Sequence, residues 1–396
     1  MMILFCVSLA VVAYVYFGYP LLLRAGAFGR PRAFERAPMT PYISVIVAAH
    51  NEEFVIEAKI RNLFSSDYPR DRVEILIGSD GSSDATEEIV RRLACEGMTL
   101  ISFPQQHGKS AIQNALVASS SGELLVFTDA DCLFAPSALH CLAEHFADRR
   151  VGLVTACPRY VNSDETAVTE NESLYLRYET WLRRQESARG LLAAASGSLF
   201  AMRRSLWQPL DPSCGDDFFL PLRVARAGFV NRADPRVRAT THLGQIHPRA
   251  LLRMKIRVIS KDLRALVLHR DLLNPWRHRA LAVGLWSHKL LRWLVPFFLL
   301  LLLASSVALA AKPVVFAALV FQAVFYVMAL AGFVGQKSNR RFFWTVPMSF
   351  CLVNLAALAG VCKCLLGARS GSWKPERRSS APAPSSASAR SPRVLE

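Results

Sequence analysis

Leu124-Leu125-Val126-Phe127-Thr128-Asp129-Ala130-Asp131 runs β-forming residues straight into two carboxylates one residue apart. An apolar run this short reads as a strand buried in a parallel sheet. Alternate side chains of an extended chain point the same way, so Asp129 and Asp131 can face a common ligand. Two hard oxygen donors suit Mg²⁺ or Mn²⁺, above all an ion shared with phosphates. Taken alone, Asp-x-Asp reads more simply as a solvated turn after a strand. The surrounding chain decides between the two.

Residues 41–240 alternate strand and helix patterns in the manner of an α/β sheet. Ile43-Ser44-Val45-Ile46-Val47-Ala48-Ala49 is the first buried strand, and it ends at His50-Asn51-Glu52-Glu53, which opens a helix to about Ser65. Residues 73–78 form the second, ending at Ser79-Asp80-Gly81-Ser82-Ser83-Asp84. There Gly81 permits a tight turn, and Asp84 caps a helix over 85–94. Residues 99–103 form the third, and Gly108-Lys109 opens a helix ending near Ala118. Ligands of such sheets bind outside the carboxyl ends of the strands. Asn51/Glu52, Asp80 and Asp129/Asp131 stand at three of those ends, with Lys109 between the last two. Carboxylates for a base, a ribose and a metal, with a cation for phosphate, make a nucleotide-diphosphate site. Each residue also has a plain structural role: Glu52 as first-turn charge compensation, Asp80 and Asp84 as turn and cap, Lys109 on a solvated face. Their recurrence at matching strand ends favours the site.

The ordered set Ser44 to Glu53, Gly78 to Asp84, Gly108-Lys109 and Thr128-Asp129-Ala130-Asp131 resembles a family-2 glycosyltransferase of the membrane-embedded kind. That group includes the cellulose, chitin, hyaluronan and poly-N-acetylglucosamine synthases. The resemblance implies a GT-A domain, an α/β Rossmann-like fold, set between an N-terminal transmembrane helix and C-terminal ones. On it, Glu52 and Asp80 contact the nucleoside, and Asp131 with Asp129 holds the sugar-nucleotide and its Mg²⁺ or Mn²⁺. Ser196-Gly197-Ser198-Leu199-Phe200-Ala201-Met202-Arg203-Arg204 resembles the loop lining the acceptor site, where Gly197 allows close backbone approach by a sugar. Gly215-Asp216-Asp217 resembles the acidic pair that opens a helix and carries the catalytic base. The family more often has Glu before Asp; by position Asp217 is the base, with Asp216 beside the acceptor. Compensation of a helix N-terminus accounts for one of these carboxylates but poorly for both.

The implied chemistry is inverting transfer from a nucleotide-sugar, with UDP the family's usual carrier. The leaving diphosphate is stabilised by metal and cations. Asp217 takes the proton as an acceptor hydroxyl attacks the anomeric carbon from the opposite face. One departure matters. Polymer-forming members carry Gln-x-x-Arg-Trp after the base, and this chain has Met254-Lys255-Ile256-Arg257-Val258. Arg257 remains available to a diphosphate, or forms a basic face on anionic lipid with Arg253 and Lys255. Val258 cannot stack on a sugar as an indole does. Addition of one or a few sugars to a lipid-linked or polysaccharide acceptor is therefore expected over processive synthesis. A nucleotidyltransferase would want a Gly-rich basic loop directly after the first strand, which Ala48-Ala49-His50-Asn51-Glu52 is not. A non-catalytic sugar-binding membrane protein has no reason to keep Asp131 and Asp217 together.

Of the 396 residues, 52% are hydrophobic, an excess that sits at the chain ends. Residues 2–23 carry no charge and reach the roughly 20 residues needed to span a bilayer. They lack the basic start and small-residue cleavage site of a secretory signal, which predicts an uncleaved anchor over 1–24. Arg24, Arg30, Arg32 and Arg36 follow, placing the next residues in the cytoplasm, of a bacterial inner membrane by the resemblance. Three further apolar segments lie near 291–311, 314–335 and 342–366. Basic residues follow the last one, which makes it, with Pro347, Asn354 and Lys363, the candidate for a re-entrant or interfacial path. The expected organisation is an anchor (1–24), a catalytic domain (40–245), interfacial helices (246–289), membrane segments (290–366) and a disordered Ala/Pro/Ser-rich tail (367–396). The net charge of +16 lies mostly beside membrane segments and in the tail. It fits membrane lipids as partners and not nucleic acid. The nine scattered cysteines form neither a zinc pattern nor a disulfide framework. Donor sugar, linkage and oligomeric state are not legible.

Overall fold

A computed structural model of the chain describes residues 1–29, 31–157, 159–162, 167–243, 248–334 and 342–367. The Ala/Pro/Ser-rich tail lies outside them. In chain order the first elements are α1 (Met2–Arg24), with a π-helical turn at Tyr14–Gly18, then β1 (Ile43–Ala49) and α2 (Ile56–Phe64). β2 (Val73–Asp80), α3 (Thr86–Arg92), β3 (Met98–Phe103), α4 (Lys109–Ala118) and β4 (Leu124–Thr128) follow. Next come β5 (Cys132–Phe134), α5 (Ala138–Ala143), β6 (Val151–Ala156), β7 (Arg159–Asn162) and α6 (Ala167–Arg189). β8 (Leu199–Arg203), α7 (Asp216–Arg226), β9 (Val230–Asp234) and β10 (Ala239–Leu243) complete the strands. Last are α8 (Pro248–Leu268), α9 (Pro275–Ala308), α10 (Pro313–Val334) and α11 (Phe342–Leu365).

Two compact units result. A sheet unit holds residues 31–163 and 187–244, and a helical unit holds 1–30, 164–186 and 245–370.

The sheet unit is the expected α/β fold. Its main sheet has the order β3-β2-β1-β4-β8-β6-β9. β1 pairs in parallel with β2 and β4, and β2 with β3, so the first four strands end on one edge. Every residue of β1 is buried. A strand with both faces covered has no use for a polar side, which is why it reads as a continuous apolar run. α2 shields one face through Ile56, Ile60 and Leu63, spaced for a single helical stripe. Phe127 of β4 stacks on Phe200 of β8 at 4.9 Å and on Trp207 at 5.4 Å. A second sheet, β5-β10-β7, is separate in hydrogen bonding.

One difference from the sequence reading bears on function. Residues 199–203, expected as part of a loop, form β8, inserted antiparallel between β4 and β6. Only Ser196-Gly197-Ser198 is left as loop. Because β8 runs against β4, with Leu199 opposite Thr128, those three residues arrive beside Asp129.

In the helical unit, α1, α9, α10 and α11 are each long and apolar enough to cross a membrane. α11 is helical from Phe342 to Leu365, with Pro347 inside it. α8 packs on α11, where Gly360 admits Ile259 and its carbonyl accepts from the Ser260 hydroxyl at 3.2 Å.

Gly122, just before β4, donates to Ser44 Oγ at 2.7 Å, and a Cβ there would collide with the Ser44 backbone nitrogen and lie 2.8 Å from the Ile43 carbonyl carbon. Backbone cannot step aside cheaply. Gly122→Ala is expected to cost about 1–3 kcal/mol, read as a lowered unfolding midpoint of the purified protein.

Candidate active site

The edge where β1, β2 and β4 end gathers most of the residues singled out in the sequence. At the end of β1, Asn51 takes φ 55°, a left-handed conformation that Asn tolerates better than most residues. Its side-chain oxygen accepts from Ser83 N at 2.8 Å, and its own N–H donates to Ser82 Oγ at 3.1 Å. Glu52 N donates to Thr86 Oγ1 at 2.8 Å, Glu53 N donates to Asp84 Oδ2 at 3.1 Å, and the Glu53 carboxylate accepts from Ala85 N at 3.1 Å, all between the same two loops. Asn51 thus stitches the loop after β1 to the loop after β2.

Asp80 is fully buried. Its two oxygens accept from His107 N at 2.6 Å and Gly108 N at 2.9 Å. It fixes the approach to α4 and so the place from which Lys109 starts. Gly81 is required there: its φ is 63°, and a Cβ would lie 2.9 Å from Gln106 N.

Lys109 is not on a solvated face. Its Nζ lies 2.8 Å from Asp129 Oδ1 and 3.1 Å from Asp216 Oδ2, joining the end of β4 to the start of α7. Gln113, one turn along α4, donates to Asp216 Oδ2 at 2.7 Å. Burial would raise Asp216, but Lys109 and Gln113 hold it below the usual carboxylate range. Asp129 goes the other way: burial, with Asp131 and Asp216 nearby, pushes it up to about 6 against the pull of Lys109. One ammonium does not balance these carboxylates.

Ser196, Gly197 and Ser198 close the circuit. Ser198 O accepts from Asp129 N at 3.3 Å and from Thr128 Oγ1 at 2.9 Å. Ser196 and Ser198 hydroxyls are 2.7 Å apart. A Cβ built on Gly197 would sit 3.5 Å from Asp217 Oδ2, and Ala195 N donates to Asp217 O at 2.7 Å. Lys109, Asp129, Ser198, Gly197, Asp217 and Asp216 therefore form a continuous ring of neighbours, with Asp131 next to it in the chain. Arg257 stands on α8, in the helical unit, half-buried between the exposed Met254 and Val258.

Lys59 escaped the sequence reading. It is fully buried, and its Nζ donates to Thr128 Oγ1 at 2.7 Å and Cys132 O at 2.6 Å, bracketing Asp129-Ala130-Asp131. Phe134 presents its ring 4.6 Å away. The signal was available: Ile56, Lys59, Ile60 and Leu63 share one face of α2, so a lysine occupies a core position. Gln113 and Thr128 carried no comparable mark.

Among the described residues no cluster of three or more His, Cys, Asp or Glu side chains forms a metal cage. Two neighbouring carboxylates fit a smaller task. Mg²⁺-type ions are commonly held by one or two carboxylates with the rest of the shell from substrate phosphates and water.

Residues 44–209 match the family described as glycosyl transferase family 2. The match stops short of Asp216 and Asp217. The chain is 32% identical over 194 residues to a β-monoglucosyldiacylglycerol synthase of Trichormus variabilis, covering 48% of this chain and 41% of that one. It is 29% identical over 251 residues to a probable glycosyltransferase, YdaM, of Bacillus subtilis, covering 59% and 60%. The chain thus spans about half the length of these curated relatives. Among solved structures, the mannosyltransferase PcManGT of Pyrobaculum calidifontis superposes with a TM-score of 0.70 at 24% identity, over 92% of this chain and 99% of that one.

Lys59 supplies a pH test. Burial pulls its ammonium down to about 8 from 10.5. Between those values the unfolded chain holds a proton that the native state does not, so native stability rises with pH across that window. Lys59→Met removes this term and leaves the Cys132 carbonyl without its donor. The variant is expected to be less stable by about 1–3 kcal/mol, with the deficit growing from pH 8 to pH 10 in unfolding midpoints.

Proposed function

We propose that this chain, whose residues 44–209 match the glycosyl transferase family 2 model and whose fold superposes on that of PcManGT, transfers a sugar from a nucleotide-diphosphate donor, with inversion, to a hydroxyl of a membrane-held acceptor. The observation that carries the reading is the ring at the end of β4, where Lys109 links Asp129 to Asp216 and Gly197 backs onto the Asp217 carboxylate. It sets a donor half and an acceptor half side by side.

In the donor half, Asp131 and Asp129 would hold Mg²⁺ or Mn²⁺, which supplies positive charge to the departing diphosphate. PcManGT, the solved neighbour, was obtained in complex with GDP-Man and Mn²⁺, in keeping with this assignment. Lys109, already aimed at Asp129, adds a fixed cation that needs no reorganisation as negative charge develops. Lys59 fixes the turn carrying both carboxylates from below. Asp80 and Asn51 act by holding the two loops that flank the nucleoside, and Glu52 is assigned to contact it. Arg257 is assigned to the diphosphate.

In the acceptor half, Asp217 accepts the hydroxyl proton. Asp216 is spent on Lys109 and Gln113 and cannot be that base. Gly197 leaves the wall beside Asp217 open to a sugar or glycerol hydroxyl, with the Ser196 and Ser198 hydroxyls next to it. Met254 and Val258 provide no stacking surface for a growing chain, which favours a short product. The glycolipid-forming relative from Trichormus variabilis supports a lipid acceptor. The basic residues after α1 favour a cytoplasmic site.

Membranes containing the protein are expected to release nucleoside diphosphate from at least one sugar nucleotide in a panel, and to stop when the divalent ion is chelated. Asp217→Asn should lower turnover by about 10²–10⁴-fold with little change in donor affinity. Turnover that survives this substitution would overturn the assignment of the base. A ladder of long chains on product sizing would overturn the single-transfer reading.

A further inference from the structure

β8 lies between β4 and β6, and its pairing ends at Thr128 on one side and at Thr155 on the other. Both threonines are buried. The ladder therefore gives out where the chain leaves Ser196-Gly197-Ser198 for the strand, and the two threonine side chains take over from it. Thr128 Oγ1 donates to Ser198 O at 2.9 Å. Thr155 Oγ1 accepts from Ser196 N at 2.8 Å. The loop is gripped from the strands on either side of β8.

The direction of these bonds is fixed. A hydroxyl carries one proton, whereas an ammonium or a backbone N–H can only donate. Lys59 Nζ, 2.7 Å from Thr128 Oγ1, makes that oxygen an acceptor and leaves its proton for Ser198 O. The Asp129 carbonyl, the other acceptor in reach, is farther away at 3.4 Å. Ser196 N acts on Thr155 in the same way and leaves its proton for Leu199 O at 3.3 Å or Ala156 O at 3.4 Å. Gly197 stands between the two gripped residues, and a Cβ there would sit 3.5 Å from Asp217 Oδ2. Where the threonines hold the loop thus sets the gap beside that carboxylate.

We propose that Thr128 and Thr155 are positioning residues for the acceptor, holding Ser196-Gly197-Ser198 at the separation from Asp217 that an acceptor hydroxyl needs. This rests on the reading of Asp217 as the base and of Ser196-Gly197-Ser198 as the acceptor loop. Thr128→Val and Thr155→Val keep the branched shape and remove the hydroxyl, while Thr128→Ser and Thr155→Ser keep the hydroxyl. In full-length protein purified in detergent, amide hydrogen exchange over residues 195–199 is expected to quicken about tenfold in each Val variant and to return to the parent rate in each Ser variant. Membranes are then given, in radiolabelled form, the sugar nucleotide that turns over in the panel. The ratio of sugar transferred to acceptor over sugar lost to water should fall about tenfold or more in the Val variants, and Mn²⁺-dependent binding of the matching nucleoside diphosphate should stay within about twofold. A merely structural role would lower transfer and hydrolysis together and leave their ratio intact. Unfolding midpoints identify a Val variant that has lost its fold, and the other then decides. Unchanged exchange in a folded Val variant, equal quickening in its Ser counterpart, or an unchanged ratio overturns the proposal. Where no sugar nucleotide turns over, the transferase reading fails by itself, and the exchange rates still decide whether the threonines hold the loop.

Discussion

One ammonium group, that of Lys109, is held between carboxylates from two other parts of the chain. It reaches Asp129 at the end of β4 and Asp216 at the start of α7, so it sets the spacing of three elements that are distant in sequence. Such a pair costs much desolvation to assemble, and removing one partner strands the others. That makes the arrangement rigid. Much of the surrounding structure serves it: Asp80 fixes the loop from which Lys109 departs, Gln113 steadies Asp216, and Lys59 clamps the turn that presents Asp129.

The same arrangement leaves a surplus of negative charge. Asp129 is raised to about 6 even with Lys109 in contact, because burial, with Asp131 and Asp216 nearby, disfavours its charge. Asp217, beside Asp216, lies against Gly197, where a Cβ would come within 3.5 Å of its Oδ2.

The helical unit follows a different economy of charge. Glu186 meets the Tyr19 hydroxyl at 2.8 Å and His288 Nδ1 at 2.7 Å, while Glu179 meets Arg292 and His288. Charges beside an apolar region are tolerated when they are paired among themselves.

The first four strands, their order of appearance and the carboxylates at their ends were legible in the sequence, because a strand buried on both faces has an unmistakable apolar run and a loop after it must be polar. The four long apolar helices were legible for the same reason of scale. What the sequence left undecided were the partnerships. Lys109 read as a cation for phosphate with no protein partner named, Asp216 as half of an acceptor site and residues 199–203 as loop, since an ion pair across 107 residues of chain and an antiparallel strand slipped between β4 and β6 leave no local pattern. Lys59 was visible only as a misfit on a core stripe. Hydrophobic periodicity is local and therefore written in order along the chain. The ring that joins Lys109, Asp129, Asp216, Gly197 and Asp217 exists only where the folded sheet brings β4, β8 and α7 to one edge.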